Sequence, residues 1–290
     1  MRPAVGVDRR EPRDAGGRDA VPQYDRVVHL GVILPNYGEG ASPDGVRAVA
    51  EAAEELGFDS VWATEHIIVG PQGVDPYGTV LEPLAMLAWL AGLTSRVELG
   101  TSITLVALHN PIRLAKEVAT VQLLSSRPFH LGVGTGWHED EYRFMGVDFR
   151  GRGRRVDEAL RVMKALWSGE RTFEGERWAF EDATSLPLPA QRPEIWVGGA
   201  SDRAVRRALD LGDVWHPSRN GTPERVSEVK ERHPELRVVP RTSAPTVGEL
   251  RAKRDALLEA GCEGIVAGFA GDAAAIVAGM RALAHDRAPA

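Results

Sequence analysis

The chain of 290 residues is 43% hydrophobic and 26% charged, a composition typical of a globular protein with a sizeable core. Its net charge of −6 gives no support to nucleic acid or an anionic membrane surface as the main partner. The single cysteine, Cys262, excludes an internal disulfide and a cysteine-based zinc site, and it fits a reducing cytoplasm.

The first 26 residues are charged and rich in glycine and proline. They lack the apolar centre of a signal peptide, so we expect a disordered tail over residues 1–26 and one domain over residues 27–290. No apolar run reaches the ~18 residues of a membrane-spanning helix, so no membrane segment is predicted.

Predicted strands and helices alternate from Val27 onward. The eight strand patterns are, in order, VVHLGVILP, DSVWATEH, VELGTSITLV, FHLGVGTG, EIWVGGA, DVWHPS, LRVVPRTS and EGIVAGFA. A helical pattern follows each strand, and the first helix has Ser42 as a possible N-cap and Gly57 as its stop. Residues 170–193 break this rhythm with aromatic residues on both sides of EGE, which indicates an inserted hairpin.

Eight strand–helix units predict an α/β protein, a (β/α)8 TIM barrel with its insertion between strands 4 and 5. A doubly wound open sheet is the alternative. Such a sheet usually has a GxGxxG turn after its first strand, whereas this chain reads LPNYGEGASP there. Because active sites of barrels lie at the C-terminal ends of the strands, the residues that end each strand pattern are the candidates for function.

The second strand ends in Glu65 and His66. A histidine at this position is a candidate for transferring a proton or for hydrogen-bonding a ligand carbonyl. The alternative is a structural pair at the rim, in which Glu65 only holds His66 in place.

Small residues end the third and fourth strands. Ser102 follows a glycine and a threonine, which allows the backbone to approach a flat ligand or allows tight packing inside the barrel. Gly134, Thr135 and Gly136 repeat this pattern on the next strand. Trp137 follows them, either as a wall for a planar ring or as part of a loop core.

The fifth strand ends in Gly198, Gly199 and Ala200, directly ahead of a helix that Ser201 can cap. Paired glycines expose backbone N–H groups, and a helix N-terminus attracts anions. This pattern predicts a site for a ligand phosphate, and a plain tight turn is the alternative.

Other chemistries have weaker support. His138 and Glu139 are neighbours in a loop and seldom converge on one ion, so no metal is predicted. The GxSxG motif of a serine nucleophile is absent. A hydrolase with paired carboxylates stays an alternative, because Glu65, Glu139 and Glu141 are all predicted near the mouth of the barrel.

Four blocks of the sequence together resemble the bacterial luciferase-like monooxygenase superfamily. The blocks are LGFDSVWATEH, VELGTSITLVALHNPIRLAKEVATVQLLS, HLGVGTGWHEDEYRFMGVDFRGRGRRVDEALRVMKALWSG and EIWVGGASDRAVRRALDLGDVWHP. The chain is most similar to the coenzyme F420-dependent oxidoreductase branch, over about residues 27–285. The resemblance implies a (β/α)8 barrel, often dimeric, that binds F420 or FMN at its C-terminal mouth.

The resemblance also implies roles for particular residues. Glu65 and His66 would lie near the deazaflavin or flavin ring, and Ser102 and Ile103 would form backbone beneath it through a cis peptide bond. The segment WHEDEY would begin a loop on the substrate side. The glycine-rich strand ends would line the ribityl chain and hold the phosphate: Gly134, Thr135, Gly136, Gly198 and Gly199.

The sequence therefore predicts an F420-dependent oxidoreductase that transfers hydride between the deazaflavin and a small organic substrate, with His66 as proton donor or acceptor. An FMNH2-dependent monooxygenase on the same fold is the alternative, and a cofactor-binding protein without catalysis is a further one. The segment FRGRGRR favours F420, because arginine offers charge to its acidic tail. We expect a homodimer in the cytoplasm.

Overall fold

The computed structural model describes residues 28–284, so the tail predicted at residues 1–26 lies outside the described part of the chain. The strands are β1 His29–Ile33, β2 Ser60–Ala63, β3 Glu98–Thr101, β4 Phe129–Val133, β5 Phe173–Glu174, β6 Ala179–Phe180, β7 Glu194–Gly198, β8 Val214–His216, β9 Arg237–Val238, β10 Arg241–Ser243 and β11 Gly264–Gly268. The helices are α1 Pro43–Glu55, α2 Val74–Tyr77, α3 Pro83–Ala91, α4 Pro111–Leu124, α5 Glu139–Phe144, α6 Arg152–Trp167, α7 Asp202–Leu211, α8 Pro223–Arg232, α9 Val247–Glu259 and α10 Ala273–Ala284. Of the helices in residues 28–284, none is both long and apolar enough to cross a membrane.

Nine strands form one parallel sheet in the order β10-β11-β1-β2-β3-β4-β7-β8-β9. β9 and β10 are two parts of the predicted seventh strand, which is interrupted at Pro240. The combined strand pairs with β8 on one side, where Val239 N donates to Trp215 O at 3.0 Å. It pairs with β11 on the other, where Val266 N donates to Pro240 O at 2.8 Å, and this closes the predicted (β/α)8 barrel.

Alternate residues of the strands belong to two separate apolar cores. The larger core joins the outer faces of the strands to the helices. The smaller one fills the inside of the barrel, as the period of two along a strand requires. Its buried members are Ile33, Trp62, Trp196, Val214, Val239 and Val266.

Glycine on both neighbouring strands makes room for Trp62 inside the barrel. A Cβ on Gly31 would lie 2.7 Å from the indole nitrogen, and one on Gly100 would lie 2.6 Å from the six-membered ring. Gly100 in the GTS segment therefore serves tight barrel packing, which was one of the two alternatives for that segment.

The predicted helix cap, helix stop and inserted hairpin are confirmed. Ser42 caps α1 by accepting a hydrogen bond from Gly45 N at 3.1 Å, and Gly57 adopts a φ of +73° just after the helix. The predicted insertion contains the antiparallel hairpin β5–β6. Glu158 anchors this hairpin to α6 by accepting from Arg177 N at 2.6 Å and Trp178 N at 3.1 Å.

Candidate active site

The peptide between Ser102 and Ile103 is cis, as predicted, and lies where β3 ends at the mouth. Its carbonyl oxygen accepts a hydrogen bond from Arg241 Nη1 at 2.6 Å and a longer one from Thr64 Oγ1 at 3.4 Å. Arg241 also donates to the Tyr37 hydroxyl at 3.2 Å. Arg241 forms no ion pair with a carboxylate in residues 28–284; its hydrogen-bond partners there are the neutral groups of Thr64, Ser102 and Tyr37.

A buried histidine holds the hydroxyl of the same serine. His216 Nδ1 lies 2.5 Å from Val239 O, and because a carbonyl only accepts, Nδ1 carries the ring proton. Burial, with the positive charge of Arg241 nearby, lowers the pKa of His216 to about 3, so the ring is neutral. Its Nε2 is then an acceptor, and the Ser102 hydroxyl donates to it at 2.9 Å.

The side chain of Ile103 explains why a glycine, Gly134, follows the fourth strand. A Cβ on Gly134 would lie 2.4 Å from Ile103 Cδ1, and one on Gly198 would lie 3.0 Å from Ile103 Cγ2. The two glycines therefore make room for Ile103, which in turn supports the backbone at Ser102. For Gly134, the missing side chain makes room for Ile103, and a contact of its backbone with the cofactor stays a prediction.

His66 follows β2, and its partner is Glu141 rather than the adjacent Glu65. His66 Nδ1 lies 2.9 Å from Glu141 Oε2. The ring of Tyr77 packs against the imidazole at a centroid distance of 4.2 Å, and Trp137 meets it edge-on at 6.0 Å. The His66 side chain is only 6% exposed, so these contacts fix its position at the mouth.

Both carboxylate oxygens of Glu65 have hydrogen-bond partners other than His66. Oε2 accepts from Leu105 N at 2.5 Å, and Oε1 lies 3.0 Å from His109 Nε2. Burial alone would lower the pKa of His109, but the hydrogen bond and the charge of Glu65 raise it. Glu65 is 3% exposed and holds the segment that follows the Ser102–Ile103 peptide, so the structure gives it a supporting position and no contact with His66.

The predicted substrate-side loop is partly helical, because α5 begins at Glu139. The carbonyl oxygens of Thr135 and Gly136 are both hydrogen-bonded. The Tyr142 hydroxyl donates to Thr135 O, and Arg152 Nε donates to Gly136 O at 3.3 Å. Trp137 is 54% exposed at the mouth, where it can face a ligand ring.

The turn between β7 and α7 has the form expected of an anion site. Gly199 has a φ of +98°, and Trp215 Nε1 holds its carbonyl at 2.7 Å. The N–H groups of Gly199, Ala200 and Ser201 have no hydrogen-bond partner within residues 28–284. Three open donors ahead of a ten-residue helix fit a phosphate group.

In the segment FRGRGRR, two arginine side chains donate hydrogen bonds to backbone carbonyl oxygens and so support the fold. Arg152 Nη1 donates to Phe149 O at 3.0 Å, and Arg155 Nε donates to Ala107 O at 2.7 Å. Arg150 and Arg154 are exposed and carry charge that an acidic tail can meet. Within the described range, no group of three or more histidine, cysteine or acidic residues is arranged to hold a metal ion.

Residues 27–279 match the family model described as luciferase-like monooxygenase. The chain belongs to the luciferase-like monooxygenase family. A solved member of this fold, a secondary alcohol dehydrogenase described as F420-dependent and bound to an F420-acetone adduct, superposes with a TM-score of 0.71 at 17% identity, over 83% of this chain and 93% of that one.

Two luciferase-like relatives differ in their described cofactors. The F420-dependent glucose-6-phosphate dehydrogenase of Kineococcus radiotolerans is 39% identical over 60% of this chain and 52% of its own length. The oxygenase component of the flavin-dependent trigonelline monooxygenase of Acinetobacter baylyi is 27% identical over 66% of this chain and also 52% of its own length. The chain thus matches about half the length of each.

From the sequence, no role was assigned to His216 or Arg241, and Glu141 was named only among the carboxylates of the hydrolase alternative. His216 and Arg241 lie at the ends of predicted strands six and seven, and that position was the available signal. Glu141 lies in the segment WHEDEY, which was expected to begin a loop on the substrate side. The residue is buried, at 1% exposed, and its carboxylate accepts from Ile67 N at 2.6 Å.

Proposed function

We propose that this protein is an F420-dependent oxidoreductase that transfers hydride between the deazaflavin and a small organic substrate. One observation carries the proposal: at the mouth of the barrel, His66 has one ring nitrogen held by Glu141 and the other open. Nε2 of His66 has no hydrogen-bond partner in residues 28–284 and is not among the fully enclosed polar atoms. The identity to an F420-dependent dehydrogenase supports the choice of chemistry.

The residues present fit such a cofactor. The backbone at Ser102 and Ile103 offers a platform for the ring, and the turn at Gly199 and Ala200 offers open N–H groups for a phosphate. When bound, the deazaflavin supplies a carbon that accepts or gives hydride. The backbone at Ser102 and Ile103 would orient the ring, and His66 would take up or return the substrate proton at Nε2.

The remaining predicted contacts are part of the same proposal. Thr135, Gly136 and Trp137 would line the side of the cofactor next to β4, and Gly198 would lie below the phosphate turn. Glu65 contributes by keeping the segment after Ile103 in place. We therefore assign Glu65 a positioning role beside the proton-carrying role of His66.

Titration of the purified protein with F420 and with FMN, followed by fluorescence, tests the cofactor. We expect F420 to bind more tightly, because Arg150 and Arg154 offer exposed charge to an acidic tail. Tighter binding of FMN, together with consumption of oxygen during turnover, would instead support the flavin monooxygenase. Turnover without any redox cofactor would support the hydrolase, and binding without hydride exchange would support a binding protein.

We further propose a cytoplasmic homodimer. Exposed apolar side chains on α3 and α4 support pairing, among them Trp89, Ile112 and Leu123. Light scattering after size exclusion tests this, since one chain has a mass of 31.4 kDa. A mass near this value at micromolar concentration would contradict the dimer.

A further inference from the structure

The buried carboxylate of Glu141 connects His66 to the backbone that follows it. One oxygen, Oε1, accepts from Ile67 N at 2.6 Å and weakly from Ile68 N at 3.4 Å. The other, Oε2, faces His66 Nδ1 at 2.9 Å. Glu141 lies on α5, 75 residues after His66 in the sequence. The strands β3 and β4 lie between the two residues along the chain.

We propose that Glu141 is a positioning residue that keeps the proton of His66 on Nδ1, so that Nε2 presents a bare lone pair at the mouth. The inference rests on the proposed function, in which His66 exchanges a proton with the substrate. An ionised carboxylate only accepts hydrogen bonds, so the nitrogen that faces it must donate. A neutral imidazole has one N–H, and Nε2 is then the acceptor.

The proton acceptor has a defined task in oxidation of an alcohol. The hydroxyl proton passes to His66 Nε2, the C–H hydride with its two electrons passes to the oxidised deazaflavin, and a C=O bond remains. A His66 with its proton on Nε2 cannot take up this proton. The tautomer therefore determines whether the ring serves as the base.

Substitution of Glu141 by glutamine separates positioning from support of the backbone. The N–H groups of Ile67 and Ile68 need an acceptor, so they hold the amide oxygen of the new side chain in the place of Oε1. The amide NH2 group must then face His66 Nδ1 and donate to it. E141Q thus keeps the chain after His66 anchored and reverses the tautomer.

Glu158→Gln is the matched control. Glu158 is also buried, accepts from two successive backbone N–H groups and pairs with the basic side chain of Arg177 at 3.1 Å. It anchors the hairpin β5–β6 and makes no contact with His66. E158Q therefore reproduces the loss of a buried carboxylate without the predicted effect on the imidazole.

The test is the ¹⁵N chemical shift of both ring nitrogens of His66 in the cofactor-free protein, labelled at histidine and assigned by the signal lost in His66→Gln. We expect Nδ1–H in the wild type and in E158Q, and Nε2–H in E141Q. Nε2–H in the wild type, or one tautomer in both the wild type and E141Q, would overturn the proposal. The wild-type spectrum decides even if a variant does not fold.

Kinetics provide the second readout. With F420 and an oxidisable alcohol, kcat of E141Q should fall by ~10²-fold or more, while its affinity for F420 changes by less than about 3-fold. Rates of E158Q should stay near those of the wild type. If the wild type neither binds F420 nor exchanges hydride with it, the proposed function fails, and the tautomer measurement still decides the role of Glu141.

Discussion

Glu65 and His66 are adjacent at the end of β2 but have different partners, because successive side chains of an extended segment point in opposite directions. Glu65 holds Leu105 N and His109, on the side of the chain that follows β3. His66 turns to the mouth and meets Glu141. One residue supports the platform, and the other faces the substrate.

Replacement of His66 by alanine tests its role as proton carrier. We expect turnover to fall by ~10²-fold or more, because a general acid or base contributes about that much. The midpoint of urea unfolding should change little. His233→Ala, at the partly exposed residue that follows α8, is the control. Near-normal turnover of a folded His66→Ala protein would reduce His66 to a rim residue.

Gly134→Ala tests the support of the platform by Ile103. The new Cβ would overlap Ile103 Cδ1, so the isoleucine must shift, at a cost of ~1–3 kcal/mol in the free energy of unfolding. F420 affinity should fall with it, because the backbone beside Ser102 moves. Gly92→Ala meets only an ordinary contact at 3.6 Å and should leave both quantities unchanged. Equal F420 affinity of the two variants would contradict the role of Ile103.

At the scale of elements, the turn from β7 to α7 combines a left-handed glycine with three open N–H groups. Gly199 sets the direction of the turn, and Trp215 fixes its carbonyl. Ser201 caps α7 by accepting from Ala204 N at 3.3 Å.

Gly199→Ala should lower the affinity for F420 and for FMN together by ~10-fold, because both carry a phosphate that the same turn would hold. The free energy of unfolding should fall by ~1–2 kcal/mol, since an L-residue at this φ is strained. Gly261→Ala is the control: its φ of +101° gives a similar strain after α9. Fluorescence titration that finds equal losses of affinity in both variants would count against a phosphate site.

At the scale of the whole molecule, charged groups are buried at the end of the barrel opposite the mouth. His130 Nε2 lies 2.8 Å from Glu98, and its Nδ1 makes an ion-pair contact of 3.3 Å with Glu194 without hydrogen-bond geometry. Burial alone would lower the pKa of His130, but the two carboxylates raise it to about 9. Burial and the charge of His130 lower the pKa of His29 to about 4.

These shifts predict a maximum of stability near pH 6.5. The pKa of His130 is raised above its unfolded value of 6.5, so its contribution is complete below pH 6.5 and is lost as the pH rises through about 9. The pKa values of His29 and His216 are lowered to about 4 and 3, so their contributions are complete above pH 6.5 and are lost as the pH falls toward those values.

Urea unfolding at intervals from pH 4 to pH 9.5 measures this dependence. The decline above pH 7 should become flatter in His130→Gln, because that variant has no raised pKa at this position. His233→Gln, in which a partly exposed histidine outside the barrel is lost, should keep the wild-type profile. A wild-type protein whose stability rises between pH 7 and pH 9 would contradict a charged His130 in the folded state.

The order of elements and the closed barrel could be predicted from the sequence alone. Periods of two and 3.6 residues, glycine stops and the cap at Ser42 are local, so they can be read from neighbouring letters. The same holds for the small residues before Ser102 and for the turn at Gly199. The family resemblance added the cis peptide, which spacing alone does not reveal.

Which side chains meet depends on contacts between distant parts of the chain. Glu141 pairs with His66 across 75 residues, and Arg241 reaches Ser102 across 139. Such pairs depend on how α5 and the interrupted seventh strand return to the mouth, and no local pattern encodes those paths. Adjacent letters suggested Glu65 as the partner of His66. In the closed barrel Glu65 and His66 have different partners, because the buried Glu65 carboxylate accepts from the donors that lie nearest to it in space.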